Sequence, residues 1–110
     1  MSTIDPKGAA RFNAEAKEVG LTYLDTPMSG GVTGARNATL TFMIGGTEEE
    51  FEASKGVLAG MGTNFFHCGG PGTGEIAKLT NNLILGISMI AASEGMAIGE
   101  KLGMDPKVLQ

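Results

Sequence analysis

Residues 69–82 read GGPGTGEIAKLTNN: closely spaced glycines, then a lysine, then paired asparagines. A short strand-like run, NFFHC at 64–68, precedes them, and an apolar helical pattern follows from Thr73 to near Gly103. Strand, glycine turn and helix in succession are the repeating unit of an α/β layer. Two nucleotide-binding motifs must be tested against this turn. In the phosphate loop of ATPases, a lysine follows the second glycine. Gly69 and Gly74 have the required gap, but Glu75 stands at the lysine position, and an acid there repels phosphate. In the dinucleotide fingerprint, GxGxxG or GxGxxA is followed about 20 residues later by an acid at the end of a second strand. Gly72, Gly74 and Ala77 fit, and Glu94 has the right distance, but Glu94 falls inside a continuous helical pattern. The residues alone leave a glycine turn that lets backbone approach closely and feeds a helix. Lys78 and Asn82 share one face of that helix, and the face runs on to the apolar Met89. A lysine beside an apolar surface can exchange a proton near neutral pH. The plain alternative is a surface lysine near a helix start.

Working outward, Asp5 followed by Pro6 reads as an N-cap with proline in the first turn. Ala9, Phe12, Ala16 and Val19 recur at helical spacing, with Lys7, Arg11, Asn13 and Glu15 on the other side, and Gly20 closes the helix. LTYLD at 21–25 predicts a short strand ended by Pro27, and SGGVTGARNA at 29–38 a glycine-rich turn with room for one helical turn. TLTFMIGG at 39–46 alternates, with Leu40, Phe42 and Ile44 on one face. Thr47 and Glu50 predict a capping box for a helix to about Ala59. Asp105 and Pro106 open a further helix close to Gln110. The helix from 73 to about 102 is apolar nearly all round, and such helices are covered by neighbours. The chain offers few, so partners from elsewhere in a longer chain or from another subunit are expected.

The composition narrows the function classes. The 110 residues carry a formal charge of −4, which suits a small domain and argues against nucleic acid as partner. A single cysteine, Cys68, permits no internal disulfide, and no CxxC or histidine pair suggests zinc. The amino terminus has no secretory-signal pattern. The apolar run Leu83–Ala92, interrupted by Gly86 and Ser88, reads as too short for a membrane span.

Taken in order, DTPMSGG at 25–31, LTFMIGG at 40–46 and GxxGxGxxxKxxxN from Gly69 to Asn82 resemble the β-hydroxyacid dehydrogenase family. STIDP at 2–6 and GEKLGMDPKVL at 99–109 fit the same pattern, so the resemblance covers essentially the whole chain. It implies an α/β fold: the C-terminal part of a Rossmann-type dinucleotide-binding domain (1–70), then the long interdomain helix that opens an all-α domain (71–110). It implies oxidation of 3-hydroxyisobutyrate, or a similar β-hydroxyacid, to its semialdehyde by hydride transfer to NAD, with NADP possible, as in valine breakdown. Lys78 matches the family's catalytic general acid/base and Asn82 the asparagine that orients substrate. Ser29, Gly30 and Gly31 match the loop holding the substrate carboxylate, and Thr3 matches a threonine near the cofactor. Backbone N–H groups at Gly30 and Gly31 suit a carboxylate, much as an anion nest does.

The resemblance also implies a homo-oligomer, dimer or tetramer, with no nucleic acid and no membrane partner. The compartment would be the mitochondrial matrix in a eukaryote and the cytoplasm in a bacterium. The family's dinucleotide fingerprint would precede residue 1, and its later lysine near the cofactor would follow residue 110, so the isolated chain is expected to be inactive. Competing readings are reduction of tartronate or succinate semialdehyde, a noncatalytic interaction module on the same fold, and a helix-mediated oligomerisation domain. His67 reads as structural and Cys68 as a buried filler. Met89, Met96 and Met104 read as packing, and Glu48–Glu50 as a solvated helix start rather than a metal site. Ser29 lacks the GxSxG setting of a hydrolase nucleophile.

Overall fold

The computed structural model describes residues 1–109. Its elements run α1 (Pro6–Glu18), β1 (Met28–Ser29), α2 (Gly31–Arg36), β2 (Leu40–Gly45), α3 (Glu48–Leu58), β3 (Gly62–Gly69), α4 (Thr73–Lys101) and α5 (Pro106–Leu109). The sheet has the order β1-β2-β3. β2 and β3 are parallel, with Leu40 opposite Gly62 and Ile44 opposite His67, and α3 is the crossover between them. β1 pairs antiparallel with β2 through Met28–Phe42 and Ser29–Thr41. Two compact units divide the chain, Met1–Leu79 and the residues from Thr80 onward.

Local chemistry accounts for most boundaries. The Asp5 carboxylate accepts from Gly8 N at 2.9 Å, with Pro6 in the first turn of α1. Thr47 and Glu50 form both halves of the capping box, with Glu50 N donating to Thr47 Oγ1 at 3.2 Å and Thr47 N to Glu50 Oε2 at 2.8 Å. The alternation in β2 turns Leu40, Phe42 and Ile44 inward, where they meet Phe51 and Leu58 of α3. Phe42 also stacks on Phe65 of β3, with ring centroids 6.0 Å apart. This cluster is the core of the first unit.

Three expectations are corrected. LTYLD is not a strand: only Asp25 pairs, as an isolated bridge to Gly45, and regular pairing begins at Met28. Pro27 cannot donate, so the ladder is broken there, although its carbonyl accepts from Met43 N at 2.9 Å. In α1 the inward residue beside Ala9 is Asn13, whereas Phe12 and Val19 are exposed. The Asn13 amide donates to the Tyr23 carbonyl at 2.6 Å, a group left without a strand partner because 21–24 is irregular. A part-buried carbonyl needs such a donor more than the helix needs a fully apolar stripe.

The third correction concerns α4. The helix is continuous through Gly86 and Ser88, as its pattern predicts, since glycine within a long helix costs only about 1 kcal/mol; what changes is the expectation that its apolar run is too short for a membrane span. Its 29 residues include an 18-residue window of mean hydropathy 1.4, long and apolar enough by length and composition to cross a membrane. In the second unit its apolar side chains, Leu83, Ile87, Met89 and Ile90 among them, are exposed, and so is Met104 beyond it. Among the described residues, Met89 and Met104 therefore pack into no core.

Candidate functional site

Loop 25–31 and the first turns of α4 converge on one face of the first unit. A cavity of about 450 Å³ is lined by Met28, Ser29, Gly30, Gly31, Val32, Ala35, Leu40 and Lys78. Four of the six predicted site residues thus meet in one place. Gly30 has a positive φ of 124° and Gly31 one of 59°, a turn that only glycine adopts without strain. A Cβ on Gly30 would meet Leu40 Cδ2 at 3.2 Å, whereas one on Gly31 would project into open space. Thr3 is exposed on the segment before α1. Asn82 is exposed on α4, one turn beyond Lys78, and belongs to the second unit.

The helix starts differ in what fills them. The first amides of a helix have no partner within it and attract anions. In α1 the Asp5 side chain takes up this role, and in α3 the Thr47 side chain does so. At α4 the Asp25 carboxylate accepts from Gly72 N at 2.7 Å and from Glu75 N at 3.0 Å. At α2 the N-cap is Gly30, and no side chain caps the helix. Gly30 and Gly31, at this start, line the cavity together with Ser29 and Lys78.

This settles the glycine turn. The pyrophosphate of a dinucleotide needs free amides at a helix start, and at α4 Asp25 already occupies them. The approach is also too close: a Cβ on Gly74 would lie 2.5 Å from Met43 O and 2.8 Å from Asp25 Oδ2. The glycines of 69–74 bring the chain's own backbone and its own carboxylate together, and the turn does not fit a cofactor phosphate.

Two buried acids at this junction were not read as functional from sequence. Asp25 is 2% exposed and Glu75 1%. Glu75 Oε2 accepts from Ile4 N at 3.3 Å. Burial pushes the Glu75 carboxyl up, the Ile4 N–H opposes this, and the adjacent Asp25 carboxylate adds to the rise. The position of Asp25 at the head of DTPMSGG was the available signal.

The remaining candidates have structural surroundings. His67 Nε2 lies 2.8 Å from Gly46 O and Nδ1 2.8 Å from Glu48 Oε2, and the ring stacks on Phe51. The Gly46 carbonyl pulls the imidazole upward, partial burial opposes it, and Glu48 adds to the rise. Burial pushes the Cys68 thiol up, which disfavours the nucleophilic thiolate.

Comparison with known proteins decides the family. Residues 1–70 match the family model described as the NAD binding domain of 6-phosphogluconate dehydrogenase. The chain belongs to this family. Residues 72–110 match a second model, the NAD-binding region of NADP-dependent 3-hydroxyisobutyrate dehydrogenase. The fold is accordingly part of a Rossmann-type NAD-binding domain followed by a long helix, and the cofactor class is NAD or NADP.

The β-hydroxyacid dehydrogenase resemblance read from the motifs holds. A probable mitochondrial 3-hydroxyisobutyrate dehydrogenase of Dictyostelium discoideum is 56% identical over 98% of this chain and 34% of its own length. The mitochondrial 3-hydroxyisobutyrate dehydrogenase of Bos taurus is 50% identical over 98% of this chain and 32% of its own. Among solved structures, Mycobacterium tuberculosis 3-hydroxyisobutyrate dehydrogenase with L-serine superposes with a TM-score of 0.91. It is 42% identical, over 94% of this chain and 36% of that one. The chain therefore spans about a third of the length of the relatives it matches.

Proposed function

We propose that the full open reading frame carrying this sequence oxidises 3-hydroxyisobutyrate, or a β-hydroxyacid close to it, to its semialdehyde with NAD or NADP. The observation that carries this reading is the cavity that joins the uncapped start of α2, Ser29 and Lys78. The α2 amides and the Ser29 hydroxyl receive the substrate carboxylate. This leaves the substrate hydroxyl for Lys78, which takes the hydroxyl proton as the C–O bond becomes C=O. When bound, the nicotinamide accepts the hydride. Deprotonation pushes electron density toward the carbinol carbon, which makes the C–H bond a better hydride donor. Asn82, four residues on along the same helix, orients the substrate, and Thr3 lies toward the cofactor.

Residues 1–70 then form the second part of the cofactor domain, and 71–110 form the interdomain helix and the start of a helical domain. The oxidation belongs to valine breakdown, the enzyme is a homo-oligomer, and the compartment is the mitochondrial matrix or the bacterial cytoplasm according to source. A second reading, L-serine as substrate, draws on the ligand of the M. tuberculosis structure, since serine is itself a β-hydroxyacid.

The test follows nicotinamide reduction with 3-hydroxyisobutyrate and with L-serine, in the full-length wild type and in Lys78→Ala. Loss of general-base catalysis costs about 10²–10⁴-fold, so the variant is expected to lose at least a hundredfold in kcat. Undiminished turnover in Lys78→Ala removes the lysine from the chemistry. A higher kcat/KM for L-serine selects the second reading. A folded wild type inactive on every small β-hydroxyacid moves the assignment to a noncatalytic module.

A further inference from the structure

We propose that Asp25 is a positioning residue for Lys78: its buried carboxylate clamps the start of α4 onto the segment leading into the Ser29 loop. The inference rests on the dehydrogenase reading above. Three features carry it. Asp25 heads the stretch 25–31 that supplies Ser29, Gly30 and Gly31, and it is held on β2 by Gly45 N donating to its carbonyl at 2.9 Å. Its two side-chain oxygens are used separately, Oδ1 by Gly72 N and Oδ2 by Glu75 N, on the turn that leads to Lys78. Bidentate capture of two amides on one turn fixes the direction of the helix start as well as its distance. The fit is close, since neither Gly45 nor Gly74 leaves room for a Cβ beside this carboxylate.

Glu75 extends the clamp to a third segment. It is buried beside Asp25, and its Oε2 accepts from Ile4 N, the residue after Thr3. One pair of acids therefore ties the Thr3 segment, the Ser29 loop and the Lys78 helix together. Neither acid lines the cavity that Lys78 shares with the loop, so Asp25 acts through the lysine and not on the substrate.

The test is a double-mutant cycle on the full-length enzyme with Asp25→Asn, Lys78→Ala and both together. Asparagine keeps the shape and one acceptor oxygen but turns an NH₂ toward the second amide. A misplacement of about 1 Å costs up to roughly a hundredfold. Asp25→Asn is thus expected to lower kcat at least tenfold, to leave KM for the hydroxyacid within threefold, and to have no further effect in the Lys78→Ala background. An unchanged kcat, or an equal loss in both backgrounds, overturns the proposal. If Asp25→Asn does not fold, Asp25→Ser is the second variant, judged by the same criteria. Failure of both to fold makes Asp25 a residue of the fold alone and also overturns it. An inactive wild type, or a Lys78→Ala variant as active as wild type, is a failure of the dehydrogenase reading and takes the clamp with it.

Discussion

Replacing Gly74 by alanine puts the reading of the glycine turn to a direct test. Helix propensity favours alanine over glycine by about 0.5–1 kcal/mol, so propensity alone predicts a more stable protein. Packing predicts the opposite. The new methyl carbon would sit 2.5 Å from Met43 O, 2.8 Å from Asp25 Oδ2 and 2.9 Å from Asp25 O. Ordinary carbon–oxygen contact begins at about 3.4 Å, so α4 would have to retreat by nearly 1 Å. Two of the three obstructing atoms are backbone carbonyls, and the third belongs to a carboxylate held by two amides. None can swing aside as a flexible side chain would.

Overpacking of this kind costs about 1–3 kcal/mol, and the rigidity of the obstacles places Gly74→Ala in the upper half of that range. Gly56 in α3 is the matched control, because a Cβ there meets nothing within 4 Å. Gly56→Ala should stabilise by about 0.5–1 kcal/mol. Urea unfolding of the full-length protein, read as a change in midpoint at constant slope, should show opposite signs for the two substitutions. A neutral or stabilising Gly74→Ala would refute the close approach, and with it the account of why GTG stands where it does.

Two further outcomes follow from the same structure. Phe42 is fully buried and stacked on Phe65, so Phe42→Ala should cost about 3–5 kcal/mol in the same urea assay, and a loss below about 1 kcal/mol would contradict the core described here. His67 faces two acceptors, Gly46 O and Glu48 Oε2, and only the imidazolium can donate to both. Its folded pKa is raised, so its contribution to stability is complete below the ordinary histidine value of about 6.5 and is lost as pH rises through the higher folded value. The gap in unfolding midpoint between wild type and His67→Phe should narrow over that range, and a gap that widens with pH would reverse the assignment.

What the sequence determined by itself was local. Asp5–Pro6, the Thr47–Glu50 box and the alternation of Leu40, Phe42 and Ile44 act over one or two turns or along one strand, and each formed where its pattern predicts. Lys78 and the Ser29–Gly31 loop became candidates because their motifs stand in a recognisable order, and the first unit brings them to one cavity. The misreadings share one physical cause. LTYLD has strand composition, but pairing is set by what lies opposite, and β2 takes Met28 and Ser29 instead. Asn13 reads as a surface residue, but the Tyr23 carbonyl, ten residues on, needs its amide.

The glycine turn is the clearest case. The sequence already argues against a phosphate cradle, since Glu75 stands where a lysine belongs, but only the tertiary structure shows that the anion at the start of α4 is Asp25, which lies 47 residues before Gly72. A carboxylate and the amides it will cap carry no mark of each other in the chain. Their pairing exists only once β2 has set the 25–29 segment beside it and β3 has delivered the turn. Local hydrogen bonding and periodicity are written in neighbouring residues, whereas burial and long-range capping are properties of the assembled layers.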